Sequence, residues 1–297
     1  MEAPDYVQQF GQEIDFKYFC TEALHFNEFE DGNMPEYIYT DSVAACSLMV
    51  KRCVIDKIGF MPEENFLYWD DTEWCYRCNL AGYKVASVGN AKALHAMGAK
   101  NESVNTFPTY YAWRNWIVFF TKYVKEEELG RMAETFLGSV FQVIYEGIHN
   151  GSENRAKTVM LAYDDAIHGI MGKAGENRIF NIDFNAAPFL RLFNGKEKIY
   201  IEDNGYTDTA EWLEEFASVN GYNITWIKEP QENIPVISIC ENIFKLDDLS
   251  RNKIYVDINK CVFETEDDAM DIINYNYSKK SFIFAQKPVF LECAKKL

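Results

Sequence analysis

The sequence predicts an α/β protein, and two patterns lead to that prediction. Residues 198–202, 236–240 and 253–258 are short apolar runs rich in β-branched residues, with a helical pattern following the first of them and another following the last. Strands that alternate with helices are typical of a parallel sheet. Ahead of these runs, residues 108–171 repeat apolar side chains three and four positions apart, as amphipathic helices do.

A change of pattern divides the chain. The segment Gly172-Lys173-Ala174-Gly175 ends the helical stretch, and a cluster of this composition is typical of a loop. We therefore predict one domain over residues 1–175 and a second, small α/β domain over residues 176–297. A chain of 297 residues is long enough for each domain to bury a core of its own.

The elements of both domains follow from apolar spacing and from glycine and proline. In the first domain we predict a helix near residues 17–26, a buried strand at 42–51, helices at 52–58 and 72–81, strands at 84–88 and 91–95, and helices at 108–123, 127–150 and 154–171. In the second we add helices at 207–220, from 265 and from 288, and strands at 223–227 and 281–284.

Composition restricts the partners and the location. The formal net charge of −17 argues against binding to nucleic acid or to anionic lipid, because both are themselves negative. The eight cysteines are scattered without the rhythm of a disulfide framework, which favours reduced thiols and a cytoplasmic protein. The most apolar window, residues 116–120, is too short to span a bilayer. We expect at most peripheral contact with the inner face of the membrane.

The most informative stretch is residues 65–77, in which an aromatic run leads into two adjacent carboxylates, Asp70 and Asp71, at the start of a predicted helix. A histidine, His95, follows twenty-five positions after Asp70. Aspartate at a helix start is a common cap. A carboxylate pair in a cleft can equally act as a general base. The pattern alone leaves both interpretations open.

Several motifs together resemble the acceptor half of family 2 glycosyltransferases, in particular bacterial rhamnosyltransferase-like and galactofuranosyltransferase-like members. The resemblance covers about residues 40–175. The matching motifs are Ala45-Cys46-Ser47-Leu48-Met49-Val50-Lys51-Arg52, Ile58-Gly59-Phe60, Phe66-Leu67-Tyr68-Trp69-Asp70-Asp71-Thr72-Glu73-Trp74-Cys75-Tyr76-Arg77, Ala81-Gly82-Tyr83, His95, Tyr110-Tyr111-x-x-Arg114-Asn115 and residues 166–175. We interpret Tyr110, Tyr111, Arg114 and Asn115 as packing and hydrogen-bonding residues of a helix start rather than as ligand contacts.

The resemblance implies a GT-A fold and an inverting glycosyltransferase of the hexosyltransferase type. Such an enzyme moves a sugar from a nucleotide-diphosphate sugar to a glycan or lipid-linked acceptor in cell-surface polysaccharide synthesis. Asp71 would be the general base that deprotonates the acceptor hydroxyl, and His95 would help hold Mg²⁺ or Mn²⁺ against the donor diphosphate. The implied acceptor-binding residues are Trp69, Asp70, Glu73 and Arg77.

The chain departs from the family at its N-terminal end. A full member begins with a donor-binding half that carries an Asp-x-Asp motif, but no such motif precedes Asp70 and residues 1–40 are too few for that half. The predicted fold is therefore a partial GT-A domain without its donor half, followed by helices and a small Rossmann-like α/β domain. Either the chain is a truncated product, or the donor half lies on another polypeptide, as a partner chain or in an oligomer. The activity of the isolated chain is therefore left open.

The alternative function is a non-catalytic one, in which a protein derived from a glycosyltransferase binds a glycan or docks to a partner. The sequence of the second domain does not favour either of these two functions. It contains no Gly-x-Gly-x-x-Gly motif, and its turn Asp203-Asn204-Gly205 is weak evidence for a nucleotide. Packing or docking is the more economical role for that domain.

Overall fold

The computed structural model describes residues 5–95, 104–246, 250, 252–264 and 266–297. The chain forms two compact units. The first unit is Met1–Val140, Thr158–Asn181 and Gln286–Leu297, and the second unit is Phe141–Lys157 and Ile182–Ala285. Segments of the two units alternate along the chain. The sequence predicted a single boundary at residue 175, and that domain division stays a prediction. The predicted α/β class is confirmed.

The first unit combines two small antiparallel pairs of strands with helices. Strands β1 (Gln12–Asp15) and β2 (Cys20–Ala23) form a hairpin, and β3 (Tyr37–Thr40) pairs with β4 (Val85–Val88). The helices of this part of the chain are α1 (Arg52–Ile58), α2 (Asp70–Leu80), α3 (Phe107–Tyr123), α4 (Leu129–Asn150) and α5 (Glu153–Ile167). Gly59 and Gly82 adopt positive φ angles of 79° and 84° just beyond α1 and α2, as predicted for helix ends.

Aromatic side chains fill the core of this unit. Phe19, in the turn of the hairpin, is fully buried, and its ring lies 5.7 Å from Phe120 and 5.9 Å from Phe136. The guanidinium of Arg131 covers the Phe19 ring at 4.5 Å and donates hydrogen bonds to the carbonyl groups of Phe16 and Lys17. These contacts fasten the hairpin turn to α4.

Three of the predictions for this region were wrong. Residues 17–26 form the hairpin rather than a helix. Residues 42–51 contain a short 3-10 turn instead of a buried strand, and Met49 is 96% exposed. Residues 91–95 form no strand, because the partner of β4 is β3, almost fifty residues earlier. In each case a short apolar run did not reveal which segment, if any, would pair with it.

The second unit contains a five-stranded sheet with the order β6-β5-β7-β8-β9. The strands are β5 (Lys198–Glu202), β6 (Thr225–Ile227), β7 (Val236–Cys240), β8 (Lys253–Asp257) and β9 (Val262–Phe263). Four strands run parallel and β9 is antiparallel to β8, so the predicted small parallel sheet is confirmed. Helices α6 (Ala187–Phe193) and α7 (Thr207–Val219) contribute to its core through Phe189, Leu192 and Leu213.

Helix α8 (Glu266–Ala294) replaces two elements that the sequence predicted. The expected strand at 281–284 lies inside this helix, because a four-residue apolar run has no period that separates strand from helix. The helix expected to begin at residue 288 is the continuation of α8, with Pro288 in its interior at the cost of a backbone hydrogen bond. No helix in the described ranges has both the length and the apolar character needed to cross a bilayer.

Asp257, at the end of β8, gives this unit a pH dependence. The carboxylate is fully buried and accepts hydrogen bonds from the backbone amides of Ile243, Asn259 and Cys261. Burial, reinforced by the charge of Glu146, raises the pKa of Asp257 to about 7. Because the folded-state pKa lies above the unfolded value, Asp257 stabilises the fold most at low pH, and this contribution is lost as the pH rises from about 4 to about 7.

We therefore expect the Asp257→Asn variant to flatten the pH dependence of stability over that window, by up to about 1.4 kcal/mol per pH unit, the limit for one proton. The measurement is native-state hydrogen exchange in β7 and β8 from about pH 4 to about pH 7, corrected for intrinsic exchange rates. Asp208→Asn, which removes an exposed carboxylate in α7, is the control for a loss of surface charge. Parallel curves for wild type and Asp257→Asn would contradict the assignment.

Candidate functional site

The aromatic run before α2 is a loop with an unusual backbone. Phe66, Tyr68 and Trp69 have φ angles of 63°, 60° and 64°, in the left-handed region that residues with side chains rarely occupy. Each such residue costs on the order of 1 kcal/mol unless its surroundings impose the conformation. Backbone strain of this kind is concentrated at functional sites, and it persists only where the surrounding contacts hold the backbone in place.

Two side chains of α3 hold the loop in place. The Asn115 amide nitrogen lies 2.8, 2.8 and 2.9 Å from the carbonyl oxygens of Asn65, Leu67 and Tyr68. Arg114 donates to the carbonyls of Asn65, at 3.0 Å, and Gly172, at 2.7 Å. Both side chains are almost wholly buried. The predicted packing and hydrogen-bonding roles of Arg114 and Asn115 are confirmed, and the structure adds that their target is the loop before the acidic pair.

Trp69 is half-buried beside the same helix. Its ring lies 5.2 Å from Phe119 and 5.7 Å from Phe120, while Phe66 stacks on Tyr111 at 5.0 Å. The aromatic residues that lead into the acidic pair thus rest on one face of α3. Part of the Trp69 surface stays accessible, as a stacking platform for a sugar ring would require.

The acidic pair occupies the first turn of α2, where the helix dipole favours negative charge. The N-cap residue is Trp69, so neither aspartate occupies the N-cap position itself. Asp71 accepts hydrogen bonds from the Thr72 amide at 2.7 Å and from the Ala45 amide at 3.0 Å. The Ala45 amide belongs to the segment that was predicted as a strand. Two backbone donors from separate segments therefore fix the Asp71 carboxylate.

Asp70 is a carboxylate whose surroundings shift its pKa. Partial burial raises the pKa of Asp70, and the nearby negative charge of Asp71 raises it further. Both carboxylates keep part of their surface accessible. A carboxylate with a raised pKa is a stronger base and a better acceptor for a substrate hydroxyl, which suits Asp70 to a contact with an acceptor.

Glu73 and Arg77, which the resemblance placed among the acceptor-binding residues, make internal contacts. Glu73 is 2% exposed and binds Lys122 at 2.5 Å, Tyr123 at 3.0 Å and Asn65 at 3.2 Å. Arg77 donates to the carbonyl of Ile58, at the end of α1. Their acceptor-binding roles stay predictions, and the observed contacts make both residues supports of α2.

His95 lies apart from these contacts. The residue is exposed, and its backbone carbonyl accepts a hydrogen bond from the Gln8 side chain at 2.9 Å. Residues 96–103, which follow it, lie outside the described part of the chain. Within that part, the group of three side chains close enough to hold one metal ion lies in the second unit and does not include His95. The predicted metal role of His95 stays a prediction.

The carboxyl ends of β5 and β6 border a second concave surface, an open cavity of about 500 Å³. Glu202 lines it and is paired with Lys253 at 2.6 Å, and this partner lowers the pKa of Glu202. The adjacent turn is closed by its own side chains, since Asp203 accepts from the Gly205 amide and Asn204 donates to the Ile239 carbonyl. Carboxylates at this place disfavour a phosphate group, in agreement with the weak nucleotide signal of the sequence.

Comparison with known proteins relates the chain to an enzyme of known name. The chain is 29% identical over 168 residues to the dTDP-rhamnosyl transferase RfbF of Shigella flexneri, a match that covers 51% of this chain and 52% of that protein. This similarity supports a relationship to glycosyltransferases. No family model matches the chain, and no solved structure matches it.

The relationship holds at the level of the enzyme class. The chain spans about half the length of the rhamnosyl transferase it matches, so the sugar, the acceptor and the residue roles do not follow from the similarity alone. They depend on the geometry of the loop and of the acidic pair.

Proposed function

We propose that this chain carries the acceptor side of an inverting, family 2-like glycosyltransferase with a GT-A fold. The enzyme would transfer a sugar from a nucleotide-diphosphate sugar to a glycan or lipid-linked acceptor in the synthesis of a cell-surface polysaccharide. The observation that carries the proposal is the position of Asp71, which two backbone amides fix in the first turn of α2, two residues after the half-buried Trp69. The similarity to a dTDP-rhamnosyl transferase supports the same enzyme class.

In this proposal Asp71 removes the proton from the acceptor hydroxyl as that oxygen attacks the anomeric carbon of the donor. The bond from this carbon to the diphosphate breaks, and its electron pair leaves with the diphosphate. Inversion requires the base on the face opposite the leaving group, which suits a carboxylate on the acceptor side. Trp69 would carry the sugar ring, and Asp70 would accept a hydrogen bond from an acceptor hydroxyl.

The leaving diphosphate gains negative charge, which Mg²⁺ or Mn²⁺ neutralises when bound. His95 fits this role in one respect, because an exposed imidazole can offer a nitrogen to such an ion. Carboxylate and phosphate oxygens from the donor side would complete the coordination. We propose dTDP-rhamnose as the first donor to test, since the related enzyme is a dTDP-rhamnosyl transferase.

The experiment is calorimetric titration of dTDP-rhamnose into the full chain, with Mn²⁺ and with EDTA. Binding that depends on the metal would support catalysis by this chain. In the enzyme complete with its donor half, we expect His95→Ala to weaken that dependence about tenfold or more. The matched control is His168→Ala, which removes another exposed histidine of the first unit. Absence of metal-dependent donor binding would contradict catalysis by this chain and would favour the non-catalytic, glycan-binding alternative.

A further inference from the structure

Three side chains of the second unit converge on one point. His149 is near the end of α4, and Asp268 and Asp271 lie one turn apart in the first part of α8. One ligand atom from each residue lies within 4.8 Å of the other two. All three side chains are partly buried, and the imidazole of His149 is only 10% exposed. A nitrogen and two carboxylate oxygens form a donor set that suits first-row divalent cations.

His149 makes hydrogen-bond contacts through both ring nitrogens. Its Nε2 lies 3.2 Å from the carbonyl oxygen of Val262, and its Nδ1 lies 3.0 Å from Oδ2 of Asp271. If Nε2 donates its proton to the carbonyl, a neutral imidazole presents the Nδ1 lone pair to the carboxylate. Orientation of one ring nitrogen by a carbonyl, with the other left for a metal, is the usual arrangement in metal sites.

In the other tautomer Nδ1 donates a hydrogen bond to Oδ2 of Asp271. In the tautomer with the proton on Nε2, a metal ion that binds both atoms takes the place of this hydrogen bond. Ligands about 2.1 Å from a metal ion and at a right angle to each other are about 3.0 Å apart, so the observed separation already suits a cation with octahedral coordination.

The surroundings of the cluster favour a bound ion. Oδ2 of Asp268 accepts a hydrogen bond from the Glu264 amide at 2.7 Å, and a carboxylate has about four acceptor positions, so this bond is compatible with metal ligation. Tyr145 donates to the backbone carbonyl of Asp271 at 3.0 Å and so anchors this turn of α8. A cavity of about 120 Å³ adjoins His149 and Asp268 and offers room for further ligands.

We propose that His149, Asp268 and Asp271 form a divalent-cation site that is separate from the acidic pair of the first unit. Three protein donors leave the coordination shell incomplete. Arg191 and Lys260 line the same cavity and favour water or a small anion at the remaining positions. The site requires no nucleotide, so it goes beyond the proposed sugar transfer.

The test is titration of Mn²⁺ into the metal-stripped full chain without nucleotide, with free Mn²⁺ followed by electron paramagnetic resonance. Mn²⁺ is the probe because Zn²⁺ would also bind thiolates, and all eight cysteines are free. We expect one ion per chain and a loss of affinity of at least about tenfold in Asp271→Asn, since removal of even an outer-shell partner costs about 10–100-fold. Asp268→Asn should lose affinity similarly.

The matched control is Glu264→Gln, which neutralises a carboxylate that lines the same cavity but is not in the cluster. We expect this variant to bind Mn²⁺ with an affinity within about twofold of wild type. His95→Ala should also bind Mn²⁺ normally, which separates this site from the proposed donor metal. If Asp271→Asn does not fold, the Mn²⁺ affinities of Asp268→Asn and His149→Gln test the proposal instead. Wild-type protein that binds no Mn²⁺, or variants that bind it as well as wild type, would overturn the proposal and leave His149 hydrogen-bonded to Asp271.

Discussion

In the enzyme complete with its donor half, replacement of Asp71 by Asn is expected to lower the rate of sugar transfer about a thousandfold while the affinity for the donor stays unchanged. The substitution removes the group that accepts the proton, and a positioned general base contributes about 10²–10⁴-fold to a rate. The measurement is transfer of labelled sugar from dTDP-rhamnose to saccharides extracted from cell envelopes, together with calorimetric binding of the donor.

Asp41→Asn is the matched control for this variant. Its carboxylate also accepts a hydrogen bond from a backbone amide, that of Ile14 at 2.9 Å, but it is not a member of the acidic pair. We expect transfer by Asp41→Asn to stay within about tenfold of wild type. Near-normal turnover by Asp71→Asn would exclude Asp71 as the base. A large loss confined to Asp70→Asn would assign the base to the neighbour, whose pKa is raised.

Arg114→Met is expected to lower the free energy of unfolding of the first unit by about 3 kcal/mol. The guanidinium is fully buried and donates to the carbonyls of Asn65 and Gly172. Met fills a similar volume but offers no donor, so the Gly172 carbonyl loses its hydrogen bond from Arg114 and the Asn65 carbonyl keeps only that from Asn115. Hydrogen bonds to a charged group contribute about 1.5–3 kcal/mol each. Urea unfolding followed by tryptophan fluorescence measures the effect, with hydrogen exchange in residues 62–72 to locate it.

The control is Arg52→Met, which removes an arginine of the first unit whose side chain is 85% exposed in an ion pair with Asp56. Such a surface pair contributes about 0–1 kcal/mol, so we expect little change. An equal loss of stability in both variants would contradict a specific role for Arg114. If Arg114→Met weakens the loop locally, donor binding should persist in conditions that keep the variant folded, because Arg114 contacts the loop from its buried side.

Most of the secondary structure of the second unit could be predicted from the sequence. Its strands are apolar runs bounded by turn residues, and its first long helix has an apolar period that ends at a glycine. These signals are local, so they can be recognised without knowing which segments pack against them. The failure at residues 281–284 has the same origin, since four apolar residues are too few to show a period and the surrounding α8 decides their conformation.

The elements that failed in the first unit depend on remote pairing. Strands β3 and β4 are far apart in the sequence, and nothing in residues 84–88 identifies residues 37–40 as their partner. The hairpin at residues 12–23 is held by Arg131 and by aromatic contacts with Phe120 and Phe136, which come more than a hundred residues later. In these segments tertiary contacts, rather than local conformational propensity, determine the secondary structure.

By itself the sequence determined that an aromatic run leads to two carboxylates at a helix start, and that this pattern resembles a class of sugar transferases. It could not show that Phe66, Tyr68 and Trp69 adopt left-handed conformations, because no glycine or asparagine marks those positions. Nor could it separate the two aspartates. The tertiary structure decided both points, since backbone amides of Ala45 and Thr72 fix Asp71 and burial raises the pKa of Asp70. Hydrogen bonds from backbone amides and the burial of a side chain both depend on which segments meet in the folded chain, so the sequence does not show them.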